Sequence, residues 1–103
     1  MARRAGIDAA RLPDALLGGF ADSAPLRIFG PRMAEHRFEP RLGAIALMAK
    51  DAGLASAIAT RTGADTPILR EVLRILLAIG ERGIPSPSDD LAALIQLYEE
   101  PRG

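Results

Sequence analysis

The sequence predicts a small all-α protein, and three observations support this prediction. The 103 residues are enough for one domain, and 49% of them are hydrophobic, which suffices for one modest core. Residues that favour helices are frequent, whereas β-branched residues are sparse and no stretch alternates strictly between apolar and polar side chains. Glycines and prolines divide the chain into five segments of helical character. We therefore expect a single compact domain of about five helices.

The first two predicted helices are short and contain prolines. One covers about 8–17, with Asp8 as its N-cap, and Pro13 predicts either a late start or a kink. The next covers about 25–34, where Pro31 removes a backbone donor. A kink or break is therefore expected just before Pro31.

The third helix is predicted over 43–62, ending at Gly63, and it is the longest. Because alanine and glycine are abundant in it, neighbouring helices can approach closely, so we expect a central helix that is covered on several sides. Its predicted buried face consists of Ile45, Met48, Leu54, Ile58 and either Ala52 or Ala55.

The last two helices are predicted over 67–80 and 91–99, with a loop rich in glycine and proline between them. In the fourth helix, apolar residues cover more than half of the circumference. An arc this wide indicates either deep burial or a subunit interface. Asp89 or Asp90 is the expected cap of the fifth helix.

Composition excludes several classes of function. The 13 basic and 13 acidic residues give a net charge of zero, which argues against nucleic acid or an anionic membrane as the main partner. There is no cysteine and only one histidine, so we expect no metal site. The longest apolar run is far shorter than the roughly 20 residues of a membrane helix, and no secretory signal is evident. A cytoplasmic location is expected.

The most unusual local feature is the charged pair Lys50-Asp51 within an apolar, alanine-rich helix. Adjacent helical residues diverge by about 100°, so the two side chains do not pair with each other. Two interpretations remain open. Both residues lie on a solvent-facing surface, or Lys50 is directed at an anionic ligand or a carbonyl group.

Other polar residues favour structural roles. His36 is expected to be a surface or hydrogen-bonding residue. Asp89-Asp90 is more typical of a helix cap than of a metal-binding pair. Arg32 and Arg41 flank a loop and are weaker candidates for binding a phosphate. The residues alone show no self-sufficient active site.

Six segments follow one another in an order that is characteristic of a known family. They are Ala5-Gly6-Ile7-Asp8, Gly30-Pro31-Arg32-Met33, Phe38-Glu39-Pro40, the stretch 44–55 that includes Lys50-Asp51, Thr66-Pro67 and the stretch 90–95. Together they resemble the C-terminal domain of the β-hydroxyacid dehydrogenases, which include 3-hydroxyisobutyrate dehydrogenase and tartronate semialdehyde reductase. The resemblance covers nearly the whole chain and implies the 6-phosphogluconate dehydrogenase C-terminal-like helical fold.

The resemblance implies roles for three residues. Lys50 would contact NAD or NADP near its nicotinamide end, and Asp51 would shape the substrate side of the cleft. The family usually has an aromatic residue just before this helix, and the resemblance implies that Leu42 takes its place here. The family's catalytic lysine lies on a helix whose position would fall before Met1. The N-terminal Rossmann domain and its glycine-rich loop are also expected to be absent from this chain.

Two hypotheses follow. In the first, residues 1–103 are the isolated C-terminal domain of an NAD(P)-dependent 3-hydroxyacid dehydrogenase, inactive alone and without a tightly bound cofactor. Its partners would be the Rossmann domain of the parent enzyme and further copies of the chain. In the second, the chain is a stand-alone helical module for dimerisation or regulation, without redox activity.

Overall fold

The computed structural model describes residues 1–81 and 83–99. Within them the chain is a single compact all-α domain of five helical segments without a sheet, as the sequence predicted. A 3-10 turn (Ala9–Arg11) continues into α1 (Leu12–Leu16), and α2 (Ala24–Ala34), α3 (Ile45–Thr62) and α4 (Pro67–Leu77) follow. The last segment, Leu91–Tyr98, is the C-terminal 3-10 helix.

Most helix ends follow the sequence signals, although α3 begins at Ile45 rather than at residue 43 and α4 ends at Leu77 rather than at residue 80. Asp8 accepts a hydrogen bond from the backbone N–H of Ala10, and α1 starts late, with Pro13 in its first turn. Ser23 caps α2 by accepting from the Leu26 N–H at 3.1 Å. Gly63 ends α3 in the left-handed conformation, with a φ of 73°.

Of the two alternatives predicted for α2, a kink or a break before Pro31, the break is wrong. The helix continues through Pro31 to Ala34, because the fixed φ of proline suits a helix and only one backbone donor is lost, close to the helix end. The final segment is helical as predicted, but it has 3-10 geometry. Its leucines repeat every three residues, and a 3-10 helix places residues three apart on one side. Leu91, Leu94 and Leu97 accordingly pack against the core.

The core lies where α3, α4 and the C-terminal 3-10 helix meet. Its buried members are Ile45, Ala52, Leu76, Ile79 and Ala93. Along α3, Ile45 and Ala52 belong to this core and Ala49 packs against it, and the buried Ala59 continues the same narrow stripe toward the end of the helix. The domain measures 44 × 35 × 27 Å, and α3 packs chiefly against α4.

The predicted buried face of α3 is therefore only partly correct. Ile45 and Ala52 are buried, but Met48, Leu54 and Ile58 are exposed, and within the described residues α3 is not covered on several sides. Small alanines, rather than the larger residues, face α4 because they allow the two helices to approach closely.

Among residues 1–81 and 83–99, no helix is both long and apolar enough to cross a membrane.

Candidate functional site

The start of α3 is held by a loop from the other end of the sequence. The N-cap residue, Ala44, has no side chain that can cap the helix. Instead, the N–H of Ile45 donates to the carbonyl of Asp89 at 2.9 Å, and the N–H of Ala46 donates to that of Pro87 at 2.8 Å. The segment 86–90, which we call the capping loop, thus satisfies donors that every helix start leaves free.

Asp90 is the centre of this arrangement. It is only 2% exposed. Its Oδ1 accepts from the N–H groups of Leu42 (2.7 Å) and Gly43 (3.2 Å), and its Oδ2 accepts from the N–H of Ala92 (3.0 Å). The backbone N–H of Leu91 also donates to the Gly43 carbonyl. One carboxylate therefore caps the C-terminal 3-10 helix and fixes the backbone that leads into α3.

Asp90 is held in its ionised form. Burial raises the pKa of this carboxyl, but the hydrogen bonds from Leu42, Ala92 and Gly43, together with the charge of Arg32, outweigh burial and lower the pKa below its usual value of 3.8. The carboxylate is consequently charged at neutral pH. Its charge balances that of a buried arginine.

That arginine is Arg32, in the last turn of α2, which is 6% exposed. Its Nη2 lies 3.4 Å from Oδ2 of Asp90 and donates to the carbonyl of Pro40 at 2.6 Å. Its Nε is buried and has no hydrogen-bond partner among the residues the structure describes. Arg32 and Asp90 therefore hold the segment 40–43 from two sides, which removes Arg32 as a phosphate ligand.

Leu42 belongs to this held segment. Its backbone N–H is bound to Asp90, yet 57% of the residue is exposed. The adjacent Arg41 donates through Nη1 to the carbonyl of Ser88 at 2.9 Å, which ties the same segment to the capping loop. Leu42 is thus an exposed apolar side chain on a fixed backbone.

Lys50 and Asp51 lie in the first half of α3, on its exposed side. Lys50 is five residues beyond Ile45, or about 7.5 Å along the helix axis. Within residues 1–81 and 83–99, the side chains of Lys50 and Asp51 make no hydrogen bond and no ion pair. The structure therefore places Leu42, Lys50 and Asp51 at the same end of α3, with both charges available to a ligand.

The side of α3 that carries Lys50 is exposed and partly apolar. Leu47, Leu54 and Ile58 lie there, three, four and eight residues from Lys50, and each is more than half exposed. We call these three residues and Lys50 the outer face of α3. Scattered apolar side chains are normal on a protein surface, but a continuous stripe marks a contact surface.

A second polar cluster lies away from this face. His36 has a φ of 55°, and its Nε2 is 3.1 Å from Nη1 of Arg3 and 2.7 Å from Oε1 of Glu99. Arg3 also donates to the Ala34 carbonyl, and the His36 ring stacks on Phe38. The cluster connects the N-terminal residues to the end of α2 and to the last described residue. The cluster therefore holds these three parts of the chain together by noncovalent contacts, as expected for a hydrogen-bonding surface histidine.

The described residues fit only part of a dinucleotide site. They contain no strand followed by a glycine-rich turn, which is the usual cradle for a pyrophosphate, and no group of three metal-ligating side chains. They do supply one unpaired ammonium group, which can donate to an anionic or carbonyl oxygen, beside an apolar surface. These residues therefore lack the phosphate cradle of a dinucleotide site.

Sequence reasoning missed the central role of Asp90 and Arg32. A cap at Asp90 was predicted and is confirmed by the bond to Ala92, but the same carboxylate also binds Leu42, Gly43 and Arg32. The only available signal was an arginine near the end of a mostly apolar helix. That signal does not identify a partner 58 residues away.

Residues 1–98 match the family model described as "NAD-binding of NADP-dependent 3-hydroxyisobutyrate dehydrogenase". No curated protein matches the chain.

Proposed function

Because the chain belongs to the NADP-dependent 3-hydroxyisobutyrate dehydrogenase family, we propose that it is the helical C-terminal domain of an NAD(P)-dependent 3-hydroxyacid dehydrogenase. In this proposal, a separate Rossmann domain holds the dinucleotide, and the present domain closes the cleft over it. The chemistry supplied by the bound cofactor is hydride transfer between a hydroxy acid and its carbonyl form. In this proposal the chain is inactive without that Rossmann domain, because residues 1–81 and 83–99 contain no strand followed by a glycine-rich turn that could hold the dinucleotide.

The observation that carries the proposal is the unpaired, exposed ammonium of Lys50 on an apolar helix face. On an ordinary solvent-facing surface, polar residues would surround such a lysine. Here Leu47 and Leu54 flank it on the outer face. A cleft between two domains explains both features, because the second domain covers the leucines while the lysine meets a polar part of the cofactor.

Lys50, Asp51 and Leu42 have distinct roles in this proposal. Lys50 orients the cofactor near its nicotinamide end, and its position on a rigid helix limits the entropy lost on binding. Asp51 projects about 100° away around α3, toward the substrate side of the cleft. Leu42 contributes an apolar contact to the substrate from the fixed segment before α3.

The test is a fluorescence titration of NADPH and NADH against the purified chain and two variants. Lys50→Gln removes the proposed contact, and Arg61→Gln is the matched control, because Arg61 is also exposed and follows Lys50 by eleven residues, close to three helical turns. We expect Lys50→Gln to weaken binding at least about tenfold, since a charge-assisted hydrogen bond contributes about 1.5–3 kcal/mol. Equal effects of the two substitutions, or reductase turnover by the chain alone, would contradict the proposal.

A second function is supported by the same apolar surface. Leu54 and Ile58 on α3 and Ile68 at the start of α4 are all exposed. A second copy of the chain could cover them, which would make the domain a stand-alone dimerisation module or the oligomer-forming part of the enzyme. Sedimentation of Leu54→Glu tests this, with Ile28→Glu on α2 as a control of similar exposure. A dimer that only Leu54→Glu dissociates supports this function, and a chain that is monomeric at micromolar concentration contradicts it.

A further inference from the structure

We propose that Asp90, together with Arg32, is the positioning residue for Leu42, and so sets the substrate side of the proposed cleft. This inference rests on the proposed function, in which Leu42 contacts the substrate. It concerns residues that come from α2 and from the end of the capping loop, neither of which carries a candidate ligand contact itself. The inference begins from the cost of placing two charges in the interior.

Stability alone is a weak reason for a buried ion pair. Removing two charges from water costs nearly as much as their attraction returns, so apolar residues of the same size often stabilise a fold equally well. Arg32 and Asp90 are both almost completely buried, and Nε of Arg32 has no hydrogen-bond partner among the described residues. The specific geometry that the pair imposes is therefore its better explanation.

That geometry converges on one short segment. Arg32 binds the carbonyl of Pro40, and Asp90 binds the N–H groups of Leu42 and Gly43. The bonds lie on both sides of Leu42 along the chain, so they fix its backbone. None of them restricts its side chain, which remains exposed. An apolar side chain presented in this way can contact a ligand without the loop first having to become ordered.

The position of the segment connects this fixation to the ligand. Leu42 is three residues before Ile45, where α3 begins, and Lys50 is five residues after it. The capping loop binds Ile45 and Ala46 as well, so the segment and the helix form one hydrogen-bonded unit. Asp90 thereby fixes the place of Leu42 relative to Lys50.

Hydrogen exchange measured residue by residue by NMR tests the inference on the intact chain. Asp90→Asn removes the charge, and the double variant Arg32→Met/Asp90→Asn removes both charges without leaving one unpaired. We expect the protection of the Leu42 and Gly43 amides to fall at least tenfold in each variant. The control is the amide of Ala64, which donates to Ala59 at the far end of α3 and should keep its protection.

Unchanged protection at Leu42 and Gly43, or an equal loss at Ala64, would overturn the inference. The parent chain gives a reading that does not depend on any variant folding. The order parameter of the Leu42 amide should match rigid backbone, about 0.85, and a value below about 0.6 would refute the positioning role. A failure of Lys50 to affect NADPH binding would instead refute the proposed function, so the two failures are distinguishable.

Discussion

Replacement of Asp90 by alanine should destabilise the domain more than any surface substitution. The change leaves the Arg32 guanidinium buried without its counter-charge and removes the acceptor of three backbone N–H groups. Breaking a buried pair in this way costs about 3–5 kcal/mol. The losses of the hydrogen bonds from the three N–H groups are not fully additive, because the groups share one acceptor and the segment relaxes. We therefore expect the free energy of unfolding to fall by at least about 3 kcal/mol, from the roughly 5–15 kcal/mol of a typical domain.

Urea unfolding followed by circular dichroism at 222 nm measures this loss. In a thermal melt, the same change should lower the midpoint by at least about 12 °C, since about 4 °C accompanies each kcal/mol in a domain of this size. Glu71→Ala is the control. It breaks an ion pair with Arg74 on the exposed side of α4, where water and salt screen the charges, and should leave the midpoint unchanged. Equal midpoints for the two variants would refute the reasoning about burial.

Two further predictions concern pH and glycine. Because the folded-state pKa of Asp90 is lowered, its ionised form contributes stability that is complete above the unfolded value near 3.8 and is lost as the pH falls through the lower folded value. The free energy of unfolding should therefore fall less steeply below pH 3.8 in Asp90→Asn than in the parent, and parallel acid curves would count against this. Gly53→Ala should stabilise α3 by up to about 1 kcal/mol, since its interior position leaves open space for a methyl group. Gly63→Ala should destabilise α3 by about 1–2 kcal/mol, because alanine is strained at the left-handed φ of this position. If the melting midpoints of Gly53→Ala and Gly63→Ala shift in the same direction, the two glycine predictions are contradicted.

The helix boundaries could be predicted because they depend on local chemistry. The Ser23 side chain accepts a hydrogen bond from a backbone N–H three residues ahead. The left-handed φ at residue 63 suits glycine, because glycine adopts it without strain. Pro67 lies in the first turn of α4, where its missing backbone N–H is not needed. Each of these effects acts within one helical turn. A single sequence is enough to recognise them.

The buried side of α3 could not be predicted in the same way. Its alanine-rich sequence offers two apolar stripes, one through Ile45, Ala52 and Ala59 and one through Leu47, Leu54 and Ile58. The first is buried because α4 requires small residues for close approach, and this depends on a partner helix rather than on α3 itself.

The residues of the candidate site also differ in how far a single sequence could predict them. Lys50 and Asp51 are conspicuous in the sequence because charge interrupts an apolar helix. Their availability to a ligand became clear only from the helix face on which they lie. The pair formed by Arg32 and Asp90 depends on the folding of the chain around the α3 start, and no local pattern encodes it.

The capping of α3 by residues 86–90 also bears on the order in which the domain folds. Ile45 and Ala46 receive their acceptors from Asp89 and Pro87, which are synthesised some forty residues later. The helix can therefore form early at its Gly63 end, next to α4, but its first turn must wait for a long loop to close. Contacts this distant in sequence slow folding. The step that completes the longest helix is thus the same step that assembles the candidate site.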